Sequence, residues 1–339
     1  MITPPFLKPG DKVAIVATAR KVSFTEMEPA IQLFRAWGLT VVTGNNITAE
    51  ESQYAGTDEQ RTSDMQQMLD DADVMAIFCA RGGYGSVRII DRLDFTKFVA
   101  SPKWIVGYSD ITVFHSHIHR HFGIETLHGP MPINFPADCI ATPSIESLRK
   151  TLFGEEIQYT VPAHPLNRKG TARGQMVGGN LSILYSLSAT PSDLETEGKI
   201  LLIEDVDEYL YHIDRMMMNL KRSCKLNNLA GLIVGGMTKM NDNAIPFGRT
   251  AEETISAAVS EYDYPVCFGF PAGHQEQNNA LIFGRETELS VNEDSLLRFV
   301  GKGGKDSRLK NLKMLLLPLG GMFLFFALLY LLYALVIRR

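Results

Sequence analysis

The first hundred residues constrain the fold most, because short apolar runs alternate there with segments of helical period. A Pro9-Gly10-Asp11 turn leads into an expected strand at 13–17. Ser23-Phe24-Thr25-Glu26 reads as a capping box, with Met27, Ile31 and Phe34 following at helical spacing. A second strand is expected at 39–42. A helix then starts at Thr57 and runs through Met65, Met68 and Leu69, and a third strand follows at 74–78. Strands alternating with helices imply a parallel sheet covered on both faces, whose ligands gather at the C-terminal strand ends. The 339 residues suffice for two domains, and 45% hydrophobic with 21% charged residues fits an ordinary core.

Two turns sit at such strand ends within residues 79–112. The first is Arg81-Gly82-Gly83-Tyr84-Gly85. It matches neither the dinucleotide fingerprint nor a P-loop, so it is a phosphate cradle, a source of backbone N–H groups for an oxyanion, or a plain tight turn. The second follows the apolar run Trp104-Ile105-Val106 and reads Gly107-Tyr108-Ser109-Asp110, ahead of a helix expected at 111–122. Ser109 thus stands on a strand-to-helix turn, where unpaired N–H groups favour developing negative charge. The G-x-S-x-G elbow pattern is broken by Ile111, so a nucleophile and a Ser-Asp helix cap both remain open.

Between His128 and Arg173, prolines punctuate a weaker pattern that reads as the crossing between domains. Beyond it, Gly178-Gly179-Asn180 reads as a turn opening a helix at 181–187. A strand at 199–203 ends in Glu204-Asp205. Others are expected at 232–234 and 266–268, the last followed by Gly269-Phe270-Pro271-Ala272-Gly273-His274. Residues 281–283 and 288–291 look like a closing hairpin. One Ser, one acid pair and one His therefore each follow an apolar strand, as a Ser–His–carboxylate set requires.

Other features limit the partners. A formal charge of −5 argues against nucleic acid. The four cysteines contain no C-x-x-C pair, so neither a zinc site nor a disulfide framework is suggested. His115, His117, His119 and His121 alternate on the expected helix, where His115 and His119 share one face and His117 and His121 another. With no carboxylate or Cys nearby to complete a metal set, they read as an exposed or partly buried helix. No metal and no cofactor are expected. The N-terminal apolar run is too short and interrupted for a signal peptide. At the other end, 314–337 is almost wholly apolar and uncharged, and is expected to form one transmembrane helix after a basic linker at 301–313. Lys302, Lys305, Arg308, Lys310 and Lys313 precede it, so the domains ahead of it are expected on the cytoplasmic side of the membrane.

The segments LKPGDKVAIVA, YAGTDEQR, ARGGYGSVRIID, PKWIVGYSDIT, HGPM, VGGNLSIL, LLIEDVDEYLYHIDRM and FGFPAGHQEQN resemble the LD-carboxypeptidase family, which includes murein tetrapeptide carboxypeptidases and microcin-immunity peptidases. The resemblance implies an α/β protein with a doubly wound N-terminal domain (1–165) and a smaller β-rich C-terminal domain (166–300), with the active site between them. It implies a serine peptidase that releases D-Ala from murein-derived tetrapeptides. The nucleophile would be Ser109, the acid Glu204 and the base His274, with an oxyanion hole from the backbone N–H groups of Gly83 and Asp110. Gly82, Tyr84, Asn180 and Glu208 are the expected substrate contacts, and relatives suggest a homodimer. The alternatives are a related peptidase or amidase acting on a peptide–nucleotide antibiotic, or an inactive membrane-tethered binding module. Glu204 and Asp205 alternate in direction at a strand end, so only one can face His274. Glu204, on the Leu202 face, is the better placed, which leaves Asp205 to cap the following turn and Glu208 to meet a substrate amine or Arg215. One departure concerns the turn after the first strand. Many relatives have Pro-Ser there, whereas this chain has Ala17-Thr18-Ala19-Arg20.

Overall fold

The apolar runs of the first half become β1 (Lys12–Val16), β2 (Thr40–Thr43), β3 (Val74–Cys79), β4 (Trp104–Gly107) and β5 (Thr126–His128). The helices between and after them are α1 (Phe24–Ala36), α2 (Asp58–Asp70), α3 (Ser86–Ile89), α4 (Thr96–Ala100), α5 (Thr112–Phe122) and α6 (Pro143–Leu152). The second half contains β6 (Gln158–Val161), β7 (Gly170–Asn180), α7 (Leu181–Ser186), β8 (Ile200–Val206), α8 (Leu210–Arg222), β9 (Gly231–Thr238) and α9 (Ala251–Ala258). It closes with β10 (Val266–Cys267), β11 (Leu281–Phe283), β12 (Glu286–Val291) and β13 (Ser295–Phe299). The structure, a computed structural model, describes residues Met1–Gly301. Among these no helix is long and apolar enough to cross a membrane. The expected transmembrane segment 314–337, and the linker ahead of it from residue 302 on, lie outside them.

The strands form two sheets. The first runs β11-β5-β4-β3-β1-β2, with all neighbours parallel except the β11 edge. Side-chain alternation divides its core in two. Val13, Ile15, Ala76 and Phe78 face α1, whereas Ala14, Val16, Ile77 and Cys79 face α2 and α5. This two-sided burial is why these strands read as unbroken apolar runs. The capping box at Ser23 forms as expected, and the helix expected to start at Thr57 does so with a capping box of its own, closed by Gln60.

The second sheet runs β10-β9-β8-β7-β12-β13-β6. β10, β9, β8 and β7 pair parallel with one another, and from β7 on β12, β13 and β6 continue the sheet antiparallel. Leu201, Ile203, Leu232 and Val234 face α8 and α9, while Ile200, Leu202 and Ile233 face Phe270, Ala272 and Phe283. The helices of this half thus lie on one side of its sheet.

Three expectations need correction. Residues 281–283 and 288–291 do not pair with each other. β11 pairs with β5 in the first sheet, and β12 lies between β7 and β13. The burial patterns give the reason: β11 is buried on both sides, whereas β12 alternates, so the two strands belong to different environments. Gly178, Gly179 and Asn180 are not a turn but the end of β7, with Asn180 as the N-cap of α7. The histidine helix α5, expected to be exposed or partly buried, is buried over most of its length. It packs against β7 and α7, so His115, His117 and His119 are buried and only His121 is exposed.

Candidate active site

The strand β4 ends in a fold that presents Ser109. Its φ is +64°, in the left-handed region, where a non-glycine residue costs about 1–3 kcal/mol and persists only when its surroundings hold it. Three contacts hold it here. Nε2 of His115 lies 2.9 Å from the Gly107 carbonyl, while Nδ1 lies 2.8 Å from Thr126 Oγ1. Burial pulls this imidazole down to about 4, so it stays neutral and donates to that carbonyl. On the other side, the Asp110 carboxylate accepts the Ser86 N–H at 2.8 Å. Asp110 therefore caps α3, the neighbouring helix, instead of its own, and ties the Ser109 turn to the glycine turn. Burial pushes its carboxyl up, against the pull of that N–H.

The glycine turn lies directly against Ser109. A Cβ on Gly82 would meet Ser109 Cβ at 2.9 Å and Oγ at 3.1 Å, so any side chain there would displace the hydroxyl. Gly83 has φ +112°, and a Cβ on it would lie 2.1 Å from Arg20 Cδ. Tyr84 is exposed, its ring 6.2 Å from that of Tyr54.

Glu204 and His274 come together from the second half. Glu204 ends the Ile200–Leu202 face of β8 and its side chain is fully buried; the His274 side chain is 20% exposed. His274 Nδ1 lies 2.7 Å from Glu204 Oε2, and the His274 N–H donates to the same oxygen at 3.1 Å. Burial pulls the imidazole down, but the hydrogen bond and charge of Glu204 outweigh it and leave His274 above its ordinary value. The sequence around His274 is shaped by this contact. Gly273 has φ +93°, and its Cβ would lie 2.4 Å from Glu204 Oε2. Its N–H donates to Asn278 Oδ1 at 2.8 Å, and Thr238 Oγ1 donates to the His274 carbonyl at 2.6 Å. The Tyr108 ring, one residue before Ser109, stands 4.9 Å from the His274 ring, so the base and the Ser109 turn share one wall.

Asp205 points away from His274. It accepts Asn180 Nδ2 at 2.9 Å, the Ser182 N–H at 2.8 Å and the Val206 N–H at 2.9 Å, so it braces the start of α7 as well as the end of its own strand. Burial and then the neighbouring Glu204 charge push it up to about 7. Both ends of the Asn180 amide are engaged inside the protein, since its Oδ1 accepts from Ser182 Oγ and the Ile183 N–H. The Asn180 N–H donates to Thr112 Oγ1 at 3.0 Å. Gly179 permits this approach, as a Cβ there would lie 2.3 Å from that oxygen. Glu208 accepts from His212 Nδ1 at 2.9 Å and leaves Arg215 alone; Arg215 stacks on Tyr211.

Sequence reasoning did not find the roles of the Asp110 carboxylate, Thr112, His115 or Asn278. Asp110 and Thr112 act through contacts distant in the chain, on Ser86 and Asn180, while His115 and Asn278 act on Gly107 and Gly273 a few residues away, through turns that no periodic pattern announces. Among the described residues, no group of three or more His, Cys, Asp or Glu is placed to hold a metal ion.

Residues 13–129 match the LD-carboxypeptidase N-terminal domain and residues 173–289 the LD-carboxypeptidase C-terminal domain. The chain is 35% identical over 297 residues to a probable murein peptide carboxypeptidase of Bacillus subtilis, covering 86% of this chain and 92% of that protein. It is 29% identical to the murein tetrapeptide carboxypeptidase of Pseudomonas aeruginosa, covering 83% of this chain and 94% of the relative. The crystal structure of the muramoyltetrapeptide carboxypeptidase from Oxalobacter formigenes is similar in fold. Its TM-score is 0.79 at 26% identity, covering 86% of this chain and all of that one.

Proposed function

The chain belongs to the LD-carboxypeptidase family of peptidases, and from that premise we propose that it is a serine carboxypeptidase releasing D-Ala from murein-derived tetrapeptides. The observation that carries this reading is the Glu204–His274 bond of 2.7 Å, made beside the turn that presents Ser109.

In this reading Ser109 Oγ attacks the carbonyl carbon of the L,D bond while His274 Nε2 takes its proton. Glu204 holds Nδ1–H and stabilises the imidazolium that forms. The carbonyl oxygen becomes an oxyanion held by the N–H groups of Gly83 and Asp110. Gly83 N–H has no acceptor among the described residues, and Asp110 lies in a first turn, where N–H groups lack intrahelical partners. Each such donor contributes roughly a hundred- to a thousandfold in rate. The intermediate collapses as His274 returns the proton to the leaving amine, which departs as D-Ala. Water, deprotonated by His274, then attacks the acyl-Ser109 ester, and collapse frees the tripeptide and restores the Ser109 hydroxyl. Gly82, Tyr84 and Glu208 line the substrate. Asn180 serves the site by position, linking Thr112 behind the nucleophile to Asp205 beside the relay acid.

The test offers the full chain a murein tetrapeptide ending in D-Ala, the same peptide ending in L-Ala, and a peptide–nucleotide conjugate, with products read by mass spectrometry. Release of D-Ala from the first alone is expected. Cleavage of the conjugate alone contradicts the substrate assignment, and cleavage of none contradicts the activity.

A further inference from the structure

Cations gather around the glycine turn, and nearly all of them are paired. Arg81 reaches Glu26 at 3.4 Å, Lys21 reaches Glu50 at 2.7 Å and Arg88 reaches Asp58 at 2.8 Å. Arg61 also pairs with Asp58. Arg20 differs. It is exposed, and among the described residues its guanidinium has neither a carboxylate partner nor a hydrogen-bond acceptor.

The backbone at Arg20 is nonetheless fixed. Its N–H donates to the Gly82 carbonyl at 3.4 Å, and its neighbours' backbones bond to the 53–55 segment: the Lys21 N–H to Gln53 and the Ala55 N–H to Ala19, both at 3.0 Å. The aliphatic stem lies on Gly83, where a Cβ would come within 2.1 Å of Cδ and 2.3 Å of Cγ. Gly82, the preceding residue, is the one that touches Ser109. An unpaired guanidinium is therefore carried on a stem that lies over Gly83, one residue along the turn from the Ser109 contact.

We propose that Arg20 binds the terminal carboxylate of the substrate, the group that leaves with the D-amino acid. This rests on the peptidase reading above. The terminal carboxylate is the substrate anion nearest the scissile bond, separated from the leaving nitrogen by a single Cα. Carboxylates further up the stem peptide lie more bonds away. A guanidinium offers a planar fork that meets a carboxylate with two parallel hydrogen bonds, which an ammonium cannot do. An unpaired Arg at this place lets the enzyme act at the chain end and spare internal bonds.

The test measures kcat/KM of the full chain on the tetrapeptide and on the same peptide ending in D-alaninamide, for wild type, Arg20→Gln, Arg20→Lys and Lys21→Gln. The wild type should prefer the free acid. Arg20→Gln should lose roughly 10- to 100-fold on the acid, the worth of a charge-assisted hydrogen bond, while changing little on the amide. Arg20→Lys should fall between, and Lys21→Gln, whose partner is Glu50, should match the wild type. Thermal melting should be unchanged in the two Arg20 variants, because the Arg20 head has no protein partner among the described residues to lose. A wild type indifferent to the terminal carboxylate overturns the assignment. So does an Arg20→Gln that keeps the full preference or loses both substrates equally. A wild type that cleaves neither peptide overturns the peptidase reading itself, an outcome distinct from cleavage with unchanged preference.

Discussion

His274 grips a single oxygen of Glu204 twice, through Nδ1 at 2.7 Å and through its backbone N–H at 3.1 Å. The ring is thereby fixed in rotation and tautomer, with Nε2 left without a hydrogen-bond partner among the described residues. Asp205 is committed elsewhere, to Asn180 and the Ser182 N–H. Glu204→Gln should therefore lower kcat by about 10,000-fold while leaving fold and substrate binding intact. Asp205→Asn should lose far less. Because the three groups act as a unit, Ser109→Ala combined with Glu204→Gln should cost little more than Ser109→Ala alone. Turnover numbers on the tetrapeptide measure all of these; a near wild-type Glu204→Gln beside a dead Asp205→Asn would reverse the assignment.

The pH profile follows from the same pair. The neutral imidazole is the base, so kcat/KM should fall as pH drops through the His274 value, which Glu204 lifts above the ordinary 6.5. Glu204→Gln removes the lifting charge and leaves burial, which pulls the other way. Its acid limb should move to lower pH. The sign for stability is that of a raised base. The pair's contribution is full below pH 6.5 and is lost as pH rises through the folded value. A profile whose acid limb is unmoved by Glu204→Gln would contradict this.

Gly273→Ala meets two obstacles at once. The residue has φ +93°, and a Cβ would stand 2.4 Å from the oxygen that holds His274. The backbone strain alone is about 1–3 kcal/mol. We expect a lower Tm and a larger loss in kcat than in KM, since the shifted group is the relay acid.

Thr112→Val keeps the side chain's shape but leaves the buried Asn180 N–H without its acceptor. The cost should be about 1–3 kcal/mol in urea unfolding, largely recovered by Thr112→Ser. Activity should fall too, because this bond joins the helix behind Ser109 to the strand beside Glu204 and Asp205.

Much of this was readable in advance where cause and consequence are close in the chain. The capping box at Ser23 announces α1, Thr57 ahead of Met65, Met68 and Leu69 announces α2, and the unbroken apolar runs announce strands buried on both faces. The face of Glu204 followed from strand alternation beyond Leu202. What escaped was set by distant packing. The run of alternating histidines reads as an exposed or partly buried helix, and only the packing of β7 and α7 on α5 buries most of it. Leu281–Phe283 looks like half of a hairpin, yet its partner is β5, more than a hundred residues earlier. Asp110 reads as a local cap, and only the fold reveals that it holds Ser86.

The central claim is that Ser109, activated by His274, cleaves a terminal L,D bond. Its most direct test is quantitation of free D-Ala and tripeptide from a murein tetrapeptide incubated with the full chain and, in parallel, with Ser109→Ala. The account predicts one D-Ala per tripeptide from the wild type and essentially none from Ser109→Ala, whose melting curve is unchanged. Equal D-Ala release by the two proteins, or an intact tetrapeptide in both, would contradict it.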